Sequence, residues 1–128
     1  MIIRIVDSVP GGGAEAHEWE TPVARLTLRA LIAERVRREV AAFNLDRPEV
    51  YQGLVAPEES ERVLNGYRLK RLRELDPERE VDRACRAFEG NGFVVFAGSL
   101  QIGSLEEEID LATVSELEFI KLVPLVGG

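Results

Sequence analysis

SELEFIKLVPLVGG, residues 115–128, changes character twice in one short run. From Ser115 to Val123 polar and apolar residues alternate, with Leu117 and Phe119 on one side and Glu118, Ile120 and Leu122 on the other. That period of two predicts a half-buried strand. Pro124 has no N–H to give to a ladder and holds Val123 extended, so pairing should stop there. Pro124, Leu125, Val126, Gly127 and Gly128 are then expected to run on as an extended tail. Folded domains usually finish on a packed element or a mixed polar segment, and this stretch predicts neither.

Working back from it, Phe93-Val94-Val95-Phe96 is a β-prone run that enters a tight turn at Ala97-Gly98. Leu100 and Ile102 follow, and the acidic Glu106-Glu107-Glu108 reads as a solvated face. Asp76-Pro77 is a helix start, an N-cap followed by proline at the first helical position. Its helix should carry Val81, Ala84, Cys85 and Phe88 inward and stop at Gly90. Pro57 suggests a short helix ended by Gly66, and residues 67–75 read as helix or irregular chain. Thr27 caps a long helix whose Leu28, Leu31, Ile32, Val36, Val40 and Phe43 recur at helical spacing, with the arginines and glutamates between them facing water. At the start, residues 1–6 predict a strand with Met1, Ile3 and Ile5 on one face. Pro10-Gly11-Gly12-Gly13 turns the chain, and residues 16–23 around Trp19 return.

The composition, 45% hydrophobic and 30% charged over 128 residues, is that of one globular domain. A formal charge of −7 opposes binding to a phosphate backbone, and the basic run Arg68 to Arg73 is followed at once by Glu74, Asp76, Glu78 and Glu80, so no nucleic-acid partner is expected. No apolar run approaches the ~18 residues of a membrane span, and MIIRIVDS turns polar too early for a secretory signal, which predicts a cytoplasmic protein with no membrane partner. The one cysteine, Cys85, falls on an apolar helical face, where a thiol is inert. His17 stands among Glu15, Glu18 and Glu20, short of the His and Cys ligands that zinc prefers, so no metal is expected. One His and one Cys assemble no nucleophile–base–orienter set and leave only a carboxylate pair open, so the chain is not expected to be an enzyme or to hold a cofactor. Ala14-Glu15 after the glycines lacks the Lys-Ser/Thr of a phosphate loop.

The order strand, glycine turn, strand, long helix, further strands and a Gly-Gly end resembles the ubiquitin-like β-grasp family. The match is closest from Val94 to Gly128: Val94-Val95 leads into Phe96-Ala97-Gly98, apolar residues recur at Leu105, Ile109 and Leu111, and Ser115-Glu116-Leu117-Glu118-Phe119-Ile120 opens the last strand. Residues 46–90 are extra to a minimal β-grasp, Ser99 stands where ubiquitin has a chain-forming lysine, and the tail lacks ubiquitin's arginines. The resemblance implies an α+β fold with a mixed sheet crossed by the long helix, a single domain over 1–128, and a helical insertion at 46–90. It implies a protein modifier whose Gly128 carboxylate is adenylated by an ATP-dependent activating enzyme and joined to a protein amine, with conjugating and deconjugating enzymes as further partners. Gly127 and Gly128, lacking Cβ atoms, would let the backbone thread a narrow channel to the nucleotide. The sulfur-carrier branch, which works through a C-terminal thiocarboxylate, shares this tail, and a non-covalent adaptor is the third reading. The resemblance also places Val95 beside Ile120 and Leu122 in an exposed aliphatic docking patch.

Overall fold

Alternation at the start of the chain produces β1, Ile2–Ser8, in which Ile3 and Ile5 are fully buried while Ile2 and Arg4 face solvent. The Gly12 N–H donates to the Val9 carbonyl at 3.0 Å, with Pro10 between them and Gly11 at φ 73°. This is a type II turn: proline presets the first central residue, and glycine alone takes the positive φ of the second without strain. It returns the chain as β2, Ala14–Glu20. A short β3, Arg25–Thr27, leads directly into α1, Leu28–Asp46. Thr27 caps that helix by accepting the Ala30 N–H at 3.1 Å.

The next segment departs from expectation. The described residues of this stretch, 57–63 and 66, are not helical: Glu59 adopts φ 53°, which no helix continues through, and the chain pairs β4, Ser60–Val63, antiparallel with β5, Gly66–Leu69. Pro57 misleads because it also suits a turn, and here its carbonyl accepts the Ser60 hydroxyl at 2.7 Å. Among its described residues the 46–90 stretch therefore holds a hairpin and, after the end of α1, one helix, α2, Pro77–Glu89. Asp76 Oδ1 caps α2 through the Glu78 and Arg79 N–H groups.

β6, Phe93–Ala97, then turns through Gly98 at φ 62° into β7, Leu100–Gln101, with Ala97 opposite Leu100. A two-residue hairpin with positive φ only at its first position is a type II′ turn, which requires that glycine. β8, Glu108–Asp110, pairs antiparallel with β3, so Glu108 belongs to a strand although its side chain is solvated. β9, Glu116–Lys121, completes the main sheet.

The main sheet has the order β2-β1-β9-β6-β7. β9 is its central strand and pairs in parallel with β1, and among the described residues every other pairing in the sheet is antiparallel. The fold is thus α+β with a mixed sheet. The structure, a computed structural model, describes residues 1–63 and 66–122. Contacts divide the chain into two units, Met1–Ala30 with the described residues from Ala87 onward, and Leu31–Arg86. In the first unit Ile3, Ile5, Phe93, Val95, Leu117 and Phe119 are all at most 1% exposed, and the Phe93 and Phe119 rings lie 5.9 Å apart. Burying each such side chain contributes about 1.5–3 kcal/mol. In the second unit Val36, Val40, Phe43, Tyr51, Leu54 and Leu75 are buried, with the Phe43 and Tyr51 rings edge-on at 5.5 Å. Asn44 ties α1 to the chain before α2 by accepting the Leu75 N–H at 2.8 Å and donating to the Leu75 carbonyl at 2.9 Å. Among the described residues no helix is long and apolar enough to cross a membrane.

Candidate functional site

β9 is the element that would deliver a C-terminal tail. Its inward residues Leu117 and Phe119 are fully buried, Ile120 is half-buried, and Leu122 is 37% exposed. The Leu122 N–H donates to the Gly92 carbonyl at 3.0 Å, so hydrogen bonding reaches the residue before Val123. Pro124, Leu125, Val126, Gly127 and Gly128 lie outside the described residues.

The register corrects the docking patch. Val95 is opposite Phe119 and fully buried, so it belongs to the core and to no surface. Val94 is opposite Ile120 and half-buried, on the outer face. The cause is the pleat: Lys121 pairs with Phe93, and from that pair successive residues on both strands alternate faces. Ile120 and Leu122 keep the outward phase expected of them, and Val94 takes the place assigned to Val95. Across the same face, Glu118 pairs with Val6 on one side and Phe96 on the other, and Ile120 pairs with Ser8 and Val94. The surface is mixed in chemistry. Glu118 Oε2 accepts the Ser8 hydroxyl at 3.0 Å, and Arg4 meets Glu116 at 3.3 Å. Val6, Val94, Phe96 and Ile120 are all half-buried between these polar groups.

Beside Val94 opens a cleft of about 380 Å³ within the first unit. Phe88, Phe93, Ile102 and Leu105 form an apolar floor, and Arg29 on its rim holds Glu106 Oε1 through Nε at 3.0 Å and Nη2 at 2.7 Å. This volume is at the small end for a ligand site and suits one apolar side chain or a small molecule.

Two further residues were singled out from sequence. Cys85 is buried on α2. His17 Nε2 stands 3.3 Å from Asp7 Oδ2 on the paired strands β1 and β2. Among the described residues no group of three or more His, Cys, Asp or Glu is placed to hold a metal ion.

A polar cluster in the second unit went unread. The residues between the apolar positions of α1 do not all face water: Arg35 is 4% exposed, and its Nε meets Glu39 Oε2 at 3.1 Å. Glu39 Oε1 also accepts the Leu54 N–H at 3.1 Å. On α2 it is Glu80, 3% exposed, that turns inward, while Val81 is only half-buried. Burial pushes the Tyr51 hydroxyl well above the ordinary tyrosine range, and the charges of Glu39 and Glu80 push the same way. Burial likewise raises the Glu80 carboxyl above the ordinary glutamate range, against the opposing pull of Arg83. Spacing held the signal: positions 28, 32, 35, 39 and 43 share one face of a helix, as do 80 and 84, whatever residues fill them.

Compared with models of protein families, with curated proteins and with solved structures, the chain matches none.

Proposed function

We propose that this protein is a ubiquitin-like β-grasp modifier, a substrate of other enzymes and not a catalyst, whose reactive group is the Gly128 carboxylate. The observation that carries the reading is the sheet order β2-β1-β9-β6-β7 with β1 and β9 parallel, together with Gly-Gly six residues beyond β9. β9 at the centre, parallel to β1 and lying between the β1–β2 and β6–β7 hairpins, is the arrangement a β-grasp reading requires. In it β9 is hydrogen-bonded on both sides, by β1 and by β6, which supports its use as a firm base for the tail.

The chemistry needs an activating partner, because a free carboxylate does not acylate amines at neutral pH. The Gly128 carboxylate oxygen attacks the α-phosphorus of ATP, pyrophosphate leaves, and the acyl adenylate forms. A protein amine then attacks the acyl carbon and AMP departs with the bonding pair, leaving an amide. Glycine at both final positions supports passage of the tail into a narrow active site. The outer face around Ile120, Val94 and Leu122 is the candidate handle for the ATP-dependent adenylating enzyme and for conjugating or deconjugating enzymes. The sheet and tail serve a sulfur carrier equally well.

Intact-mass measurement of protein recovered from its native host tests the reading. An amide-linked adduct at Gly128 is the expected result, and exchange of one carboxylate oxygen for sulfur would move the protein to the sulfur-carrier class. Deleting Gly127 and Gly128 should abolish adduct formation while leaving the unfolding midpoint unchanged, since terminal glycines carry no side chain to bury. If only the unmodified mass is found and the truncated chain supports every phenotype, the modifier reading is wrong and a non-covalent adaptor replaces it.

A further inference from the structure

Glu80 is a carboxyl group that the carrier chemistry does not use. It is 3% exposed, and its Oε2 has no hydrogen-bond partner among the described residues. The charged and titratable groups around it come from every neighbouring segment of the second unit. On its own helix Arg83 Nε lies 3.7 Å from Oε2, but Nε and Nη2 of that guanidinium are both committed to the Ala56 carbonyl, at 3.2 and 2.9 Å. From the turn at 56–59 the Glu58 N–H bonds to the Glu80 carboxyl, while the Glu58 carboxylate repels it. Arg73 attracts it from the chain after β5. The Tyr51 hydroxyl feels the Glu80 charge, and Glu39, held by Arg35, adds a further negative charge to that site.

An ionised carboxylate in this position keeps one oxygen buried without a donor, which is a costly arrangement. A proton on that oxygen removes the charge. The geometry points to a proton-operated latch: we infer that Glu80 carries a proton while α2 is closed on the 56–59 turn and gives it up when the two part, so that pH sets how firmly this helix is held. Glu80 binds its proton more tightly in the folded chain than in the unfolded one. The stability it contributes is therefore fully present below the ordinary glutamate range and is lost as pH rises through its folded value. The inference stands on the second unit alone and is independent of whether Gly128 is activated.

Thermal unfolding of the full chain and of Glu80→Gln, compared from about pH 4.5 to about pH 8.5, tests it. Repulsion within a chain of charge −7 lowers stability with rising pH in both proteins, so the informative quantity is their difference. The neutral amide should match the unsubstituted protein in acid and exceed it by roughly 3–6 °C at the alkaline end. Titration of the Glu80 carboxyl carbon by NMR in the unsubstituted protein should show a midpoint above those of its exposed glutamates. The Glu58 amide should exchange faster, relative to other amides of the second unit, as pH rises, and this trend should vanish in Glu80→Gln. Parallel Tm curves, a variant less stable at every pH, or an NMR midpoint at or below the exposed glutamates would each overturn the latch.

Discussion

Val94 and Val95 are identical neighbours with opposite environments, one half-buried on the outer face and one sealed in the core. Their substitutions should separate accordingly. Val95→Ala removes two methyl groups from a site enclosed with Phe119 and should cost about 2 kcal/mol, read as a lower urea midpoint, while Val94→Ala should stay within about 0.5 kcal/mol. Ile120→Asp should leave the melting temperature within a few degrees and eliminate binding to the activating enzyme. A large loss of stability in Ile120→Asp would show the residue to be core, and unimpaired binding would remove the outer face from the proposed function. Alternation along β9 was enough to tell Leu117 and Phe119 from Ile120, because faces within one strand follow from counting. It was not enough to place Val95. Faces on two strands correspond only through the register between them, here the pairing of Phe93 with Lys121, and nothing local to either strand encodes it.

At the scale of elements, both helices put polar groups on their inward stripes, and these are the most consequential positions on them. Glu39→Ala would leave the Arg35 guanidinium buried beside a missing carboxylate and strip the Leu54 N–H of its acceptor. A loss of about 3 kcal/mol is expected from denaturant unfolding, against about 1 kcal/mol for Thr27→Ala at the helix cap. Replacing Arg35 and Glu39 together by Met and Leu should recover part of that loss and not all, since the Leu54 N–H stays unsatisfied in the double variant. Equal losses for Glu39→Ala and Thr27→Ala would show that the ion pair is no more than surface decoration. The caps at Thr27 and Asp76 were legible because a side chain that satisfies a helix-end N–H acts on its own next few residues. The inward Arg35 runs against the expectation that the charged residues of α1 face water, because polarity alone does not tell a buried ion pair from a solvated face. The β4–β5 hairpin is hidden for another reason: its strands have four residues each and only Leu69 among them is buried, too short a run for a period of two to register.

For the whole molecule, charge and composition raise expectations about what the chain binds, while the sheet order lies beyond any local pattern, because it is set by Arg4 meeting Glu116 and their neighbours across most of the sequence. That parallel pairing dictates how the protein must assemble. The β1–β2 and β6–β7 hairpins close locally, but β9 is the strand that joins them, and it has to find partners that are separated in sequence by the whole of residues 31–86. Closing so long a loop delays the reward of pairing, so refolding followed by the fluorescence of Trp19 should take milliseconds to seconds, and completion within microseconds would contradict the topology. Leu117→Ala, at the seam of that joint, should slow refolding as well as speed unfolding. Until β9 arrives, two open hairpins expose the edges of β1 and β6 to any other chain nearby, so the yield of refolded monomer should fall as concentration rises, and a chaperone that keeps chains apart should restore it.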